Sequence, residues 1–417
     1  MISSDLIISL LLILAVAWIF GILFSRLGLP VMLGQLLAGV ILGPPVLGIV
    51  SSSPSIELIA EFGIFFVMFH TGLELDPKEL LEHIWPSLVV ALGGFVVPFV
   101  MGSLIIWMFG GTLYQALFVG MGVSITAIAV QAVILHSMRI NKSEVGHIIM
   151  GAAIADDILA LVALSTLLGL SRTGSIQFLD LGIILLKVVG FFGGTILIGY
   201  FIAPHFVSRL TDEGGKAFTF AVGLALLMGY FAELAGLHLI MGAFLAGQFV
   251  RKEIMDEKVF EAINDRFFGI SYGFLLPIFF ASLSFHFHFS WEPSFLLLSA
   301  ALILVAMLGK LIGCGLGAAV FGYNFRESAV IGFGMNGRGA VELVVASVVI
   351  KLSDELIKSK MIDQPLLTDQ QFSGLVLMAF VTTLLAPISL KWLVSKSCGN
   401  VENAAFCKLW EEGKRIK

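Results

Sequence analysis

Hydrophobic positions along this chain do not alternate with polar ones; they run together. Thirteen apolar stretches, divided by short breaks of Gly, Pro and charge, fall at about 5–24, 31–50, 56–72, 86–109, 113–135, 145–170, 179–203, 217–236, 238–250, 267–285, 292–322, 328–350 and 371–396. Most approach the ~20 residues that a helix needs to cross the hydrocarbon of a bilayer. The ninth is short, a half-crossing or a tilted piece. In lipid every backbone N–H and C=O must be satisfied within the segment, so these stretches are predicted to be helices. They are too long and too continuous for barrel strands.

Composition agrees. Of 417 residues, 58% are hydrophobic and 13% charged, and the mean hydropathy is +1.02. Soluble domains carry about a quarter charged residues. An ordinary cytosolic enzyme, a nucleic-acid binder and a disordered chain are thereby excluded, and no room is left for a large soluble domain. The 45 Gly and 36 Phe suit helices packed closely in lipid. A net charge of −5 forms no basic surface for nucleic acid. Cys314, Cys398 and Cys407 resemble neither a disulfide framework nor a zinc spacing, and no lipidation motif or cofactor-binding signature is present. Residues 1–5 lack a positive n-region and the apolar run 6–24 is too long for a signal peptide, so it reads as the first membrane helix.

Lys and Arg set the expected orientation. Loops after odd segments hold Arg26, Lys78, Arg139, Lys142, Arg209, Lys216, Arg251, Lys252, Lys258, Arg266 and Arg326; those after even segments hold only Arg172, Lys351, Lys358 and Lys360. The odd loops are expected in the cytoplasm. That places the N-terminus outside and the tail, with Lys396 to Lys417, inside a cell membrane.

An ionisable side chain at mid-helix costs about 2.5–3.5 kcal/mol on insertion scales, so each needs a reason. Glu57, Glu61, His70 and Glu233 lie near segment ends and are expected to reach an interface. Lys187 is deeper but can snorkel on its long stem. Asp156 and Asp157 are too short to snorkel from the middle of the sixth segment. Neighbours on a helix diverge by about 100°, so one carboxylate can line a cavity while the other meets a neighbouring helix. Lys310, deep in the eleventh segment, is the natural counter-charge. It sits in a small-xxx-small ladder, Gly309, Gly313 and Gly317, that draws helices together.

Two segments look interrupted. The fifth contains Gly120, Gly122, Ser124 and Thr126; the twelfth contains Gly332, Gly334, Asn336, Gly337, Arg338, Gly339 and Glu342. Interrupted helices free backbone carbonyls and expose helix-end dipoles at mid-membrane. Arg338 and Glu342 share a helix face, and either pair with each other or offset the exposed ends. The two segments are seven apart. If segments 1–6 repeat as 8–13, they match, and the odd offset inverts the second copy. Inverted repeats with matched broken helices point to a secondary transporter.

In order along the chain, Leu37-Ala-Gly-Val-Ile-Leu-Gly-Pro44, Gly72-Leu-Glu-Leu-Asp76, Ser124-Ile-Thr126, Ala155-Asp156-Asp157, Gly242-Ala-Phe-Leu-Ala-Gly247 and Lys310 resemble the monovalent cation:proton antiporter-2 family over nearly the whole chain. The resemblance implies the sodium/proton antiporter fold: an all-α polytopic membrane protein of about 13 helices in two inverted repeats. Two crossed, interrupted helices would lie in a core domain packed on a panel domain that forms a homodimer. The panel would span 1–83 and 216–290, the core 84–171 and 291–396, with a linker helix at 172–215 and a tail at 397–417. By position, Asp157 would bind Na+ or the proton. Asp156, beside it at the metal, would pair with Lys310, and Thr126 would be the polar residue of the unwound crossing, next to Ser124. Arg338, Glu342 and Asn336 would support the second interruption. Electroneutral relatives in the sister family carry Asn where this chain has Asp156, which favours electrogenic exchange. Some relatives have Ser where this chain has Ala153. The Gln-Asp pair and nucleotide-binding tail of the glutathione-gated potassium systems are not found.

The expected function is exchange of Na+ (or Li+) for H+ by alternating access, both ions competing for Asp157, with K+/H+ exchange as the alternative. An intramembrane aspartyl protease is the remote alternative: it needs two Asp facing each other from different helices, whereas these diverge on one. A channel is poorly served by one acid pair without a symmetric filter.

Overall fold

The structure, a computed structural model, describes residues 4–27, 29–173, 178–202, 215–250, 255–286, 292–338, 349–350, 352–353, 356–358, 362, 364–398 and 407. In these residues the chain is helical and unbroken by strands. Nine spans among them are long and apolar enough to cross a membrane. Helices α1 (Ser4–Arg26), α2 (Val31–Leu42) and α3 (Pro54–Glu74) come first, then the short surface turn α4 (Pro77–Glu82) and the long α5 (Ile84–Met108). The fifth apolar run is two helices, α6 (Leu113–Ser124) and α7 (Ile128–Ser137). They are followed by α8 (Glu144–Thr173), α9 (Phe178–Leu197) with a π-helical turn at its end, α10 (Lys216–Leu234), α11 (Leu239–Gly247), α12 (Glu257–Ile270) and α13 (Leu276–Leu283). The last are α14 (Pro293–Val320), α15 (Phe325–Gly334) and α16 (Asp369–Cys398).

Local sequence fixes several starts. Ser53 caps α3, its side chain accepting from the Ile56 N–H, with Pro54 in the first turn where no N–H is needed. Asp256 caps α12. That helix begins ten residues before the apolar run near 267, because Glu257–Arg266 is amphipathic: Val259 and Ile263 are buried and the charges lie outside. Hydropathy alone does not register such a stretch. The second apolar run is also shorter as a helix than as a pattern, ending at Leu42 before Gly43, Pro44 and Pro45.

Clustering of contacts divides the chain into two compact units. One comprises Met1–Glu79 and Gly182–Phe285, the other Leu80–Leu181 and His286–Lys417. In the first, α3 packs on α11 and α13, and α1 on α2. His70 in α3 does not reach an interface. It is buried, its ring 5.6 Å from that of Phe268 and 5.5 Å from that of Tyr272. A flat, largely apolar imidazole suits an aromatic enclosure as well as a helix end. Lys187 on α9 is exposed and lies along a groove with Gly190, Phe191 and Phe231, as snorkelling requires.

In the second unit, α5 and α14 form the most extensive contact. A Cβ on Gly309 would come within 2.7 Å of Pro98, and one on Gly317 within 2.8 Å of the Val89 carbonyl. The ladder read from the sequence is thus a helix–helix seam. Cys398 and Cys407, which their spacing gave no reason to pair, form a disulfide with 5.2 Å between Cα atoms.

Candidate ion site

The site is built where two interrupted runs meet α8. Each run opens on a capping box: Thr112 with Gln115 for α6, Asn324 with Glu327 for α15. Each then stops early, after 12 residues in α6 and 10 in α15. The break after α6 is short. Ile125 takes an extended backbone (φ −59°, ψ 140°) and α7 starts at Ile128. The Ala127 N–H donates to the Gly337 carbonyl at 3.1 Å, a main-chain bond that ties one interruption to the other. Both α6–α7 and α15 pack against α8, which carries the acid pair.

Arg338 answers the end of α6. It is fully buried, and its Nη1 donates to the carbonyls of Ile125 and, at 3.4 Å, Gly122. These are orphan carbonyls of the interrupted helix, where a cation is favoured by the helix dipole. The backbone of Arg338 is held by Thr383 of α16, whose hydroxyl accepts from its N–H at 3.1 Å and donates to its C=O at 2.8 Å. Arg338 thus meets the end of α6, one of the two roles the sequence left open to it. Glu342 and the rest of that run, 339–348, lie outside the described residues.

Asp156 and Lys310 form an ion pair, Nζ 3.3 Å from Oδ2 and 3.4 Å from Oδ1, with both side chains 0% exposed. Asp157, one residue on, is partly exposed, so the two carboxylates do diverge. Ala153, one turn before Asp157, is buried and offers no hydroxyl. The Ser124 hydroxyl donates to the Gly120 carbonyl at 2.8 Å, within its own helix. Thr126 and Asn336 are fully buried; Asn336 donates from Nδ2 to the Gly332 carbonyl at 3.0 Å. Among the described residues no three His, Cys, Asp or Glu side chains converge as a metal-binding group. The arrangement therefore combines a partly exposed aspartate, whose Oδ1 is buried, with a buried ion pair and a set of neutral oxygens.

Two residues at the crossing escaped the sequence reading. Thr383 looks like any helical threonine, and only the folded chain brings it to Arg338. Gln131 left a usable signal: it is a full amide in an otherwise apolar run, Ile128-Ala-Val-Gln-Ala-Val-Ile-Leu135, and polar residues at such depth need partners.

Residues 11–396 match the family described as "Sodium/hydrogen exchanger, transmembrane". The Na+/H+-K+ antiporter GerN of Bacillus cereus is 31% identical over 374 residues, 89% of this chain and 92% of its own. A Na+/H+ antiporter of Enterococcus hirae is 30% identical, with 94% of this chain and 98% of its own covered. Among solved structures, the sodium proton antiporter MjNhaP1 of Methanocaldococcus jannaschii superposes with a TM-score of 0.75 at 19% identity, covering 96% of this chain and 99% of that one. On the family match, which spans nearly all of its apolar segments, this chain belongs to the sodium/hydrogen exchanger family.

Proposed function

We propose that this protein exchanges Na+, or Li+, for H+ across the cell membrane by alternating access, with the two ions competing for Asp157. The family is one of transporters, and the protein is not an enzyme. One observation carries the reading: a buried Lys310–Asp156 pair sits one residue from the partly exposed Asp157, on the helix that packs against two interrupted runs. Asp157 holds either a proton or a dehydrated cation, never both, and that exclusion couples the fluxes. A neutralised site crosses a low-dielectric barrier more cheaply than a bare carboxylate.

The early stops of α6 and α15, each after a capping box, support two inverted repeats of 13 helices in all. The unit containing α5–α8 and α14–α16 is the core; the other is the panel and carries a homodimer contact. The distribution of Lys and Arg supports an outer N-terminus and a cytoplasmic tail. Release of a second proton from Lys310 when Na+ separates it from Asp156 makes the exchange electrogenic.

The test is a fluorescent ΔpH assay in proteoliposomes, titrated with Na+, Li+ and K+ in turn. Na+ and Li+ are expected to move protons, and Asp157→Ala to abolish the signal. An Asp157→Ala protein that exchanges at wild-type rate refutes the central role. Lys310→Gln is expected to lose membrane-potential generation. K+/H+ exchange is the second reading, favoured by the similarity to GerN, whose name includes K+; the K+ arm of the titration decides it.

A further inference from the structure

The crossing holds more oxygen than the exchange reading uses. Thr126, Gln131 and Asn336 are fully buried, and each keeps one oxygen without a hydrogen-bond partner: Oγ1, Oε1 and Oδ1. Enclosed acceptors are rarely left so, and each is costly. The three residues gather around the Gly337 carbonyl. Thr126 precedes Ala127, whose N–H bonds the Gly337 carbonyl; Asn336 precedes Gly337; and Gln131 donates from Nε2 to that same carbonyl at 3.2 Å.

The two amides are oriented alike. Gln131 commits its nitrogen to Gly337 and Asn336 commits its nitrogen to Gly332, so in both the nitrogen faces backbone and the oxygen is left over. Gly337 also leaves room for the Gln131 amide: a Cβ there would stand 2.8 Å from Nε2 and 3.2 Å from Cδ. A site for an anion would present nitrogens. Carbonyl, hydroxyl and carboxylate oxygens are instead the ligands of hard, weakly polarisable cations.

We propose that Gln131 is a cation ligand that sets specificity: its Oε1, with Asn336 Oδ1 and Thr126 Oγ1, replaces water on the alkali ion that Asp157 binds. This rests on the exchange reading and deepens it. Neutral oxygens do not titrate in the working range, so they hold the cation without competing for the proton. Coupling and selection are thereby divided between residues. Asp157 sees both ions; Gln131 sees only the metal.

The experiment uses the purified full chain and three substitutions. Gln131→Met keeps the side chain's length and loses both polar groups. Gln131→Glu keeps an oxygen at that place and loses the donor to Gly337. Half-saturating Na+ is read twice, from proteoliposome ΔpH across a pH series and from Na+-dependent thermal stabilisation against choline chloride. Gln131→Met is expected to need about tenfold more Na+, the scale of one lost ligand, at every pH. The pH at which the Na+ requirement begins to climb stays where it is in wild type. Gln131→Glu is expected to recover to within about threefold of wild type.

A Met variant as Na+-sensitive as wild type overturns the proposal. So does a Glu variant as weak as Met, because that pattern follows the lost donor and marks a merely structural amide. So does a shifted pH break. If Gln131→Met does not fold, Gln131→Asn, which retracts the same amide by one methylene, stands in for it: weaker Na+ stabilisation supports the assignment and unchanged stabilisation sinks it. A wild-type protein that moves no protons on any cation defeats the exchange reading, whereas the melting shift still reports the cation site by itself.

Discussion

Replacing Lys310 by methionine removes the cation from a pair that is wholly enclosed on both sides. At 3.3 Å and an effective dielectric of about 20, the attraction is about 5 kcal/mol. Bringing both ions out of water costs several kcal/mol each, so the intact pair contributes little net stability. The single substitution is different. It leaves Asp156 buried without its counter-ion, a loss of about 3–5 kcal/mol. The double variant Lys310→Met with Asp156→Asn removes the stranded charge and is expected to regain most of that loss. A double-mutant cycle on thermal unfolding of the detergent-solubilised protein then gives a coupling at least as large as the regained part of that loss, about 2 kcal/mol or more. A Lys310→Met protein within about 1 kcal/mol of wild type, the level of a surface pair, refutes the reasoning.

Arg338→Met strips two charge-assisted bonds from the end of α6 and is expected to cost about 3 kcal/mol, with faster hydrogen exchange confined to the α6–α7 junction. Gly313→Val drives a branched side chain into the Gly93 carbonyl and should destabilise by about 1–3 kcal/mol, whereas Gly190→Ala, which meets open space, should stay within about 0.5 kcal/mol of wild type; melting curves compare them. Tyr323, at the end of α14, donates to Glu144 at 2.6 Å, and burial together with that carboxylate raises its phenol above the ordinary value near 10. The folded state therefore holds this proton longer than the unfolded one, and its contribution is complete below pH 10 and declines above it. Tyr323→Phe should lower stability at neutral pH by the lost hydrogen bond and flatten the alkaline end of a stability-against-pH curve.

Much of this is legible in the sequence. Long apolar runs return as helices because lipid leaves the backbone no other partner. Asp156 and Lys310 were legible as a pair because two lone charges at depth have no cheap alternative. The interruptions were legible from glycine clustered with hydroxyls and amides. What escaped depends on contacts across long sequence distances. By spacing Arg338 has Glu342 as a possible partner, whereas its contact with the α6 carbonyls depends on the crossing itself. Gln131 was passed over because a single amide in an apolar helix looks like noise until the Gly337 carbonyl lies beside it. His70 was misplaced for the converse reason: nearness to a helix end in sequence says nothing about which aromatic rings close over it. The first ten residues of α12 were missed because an amphipathic helix shows by periodicity rather than by hydropathy.

The bond from the Ala127 N–H to the Gly337 carbonyl joins main chain to main chain. No exchange of side chains deletes either partner, short of proline at 127. The frame of the crossing is thus insulated from the identity of the groups that decorate it. Substitution of those groups therefore leaves the scaffold that holds them in place.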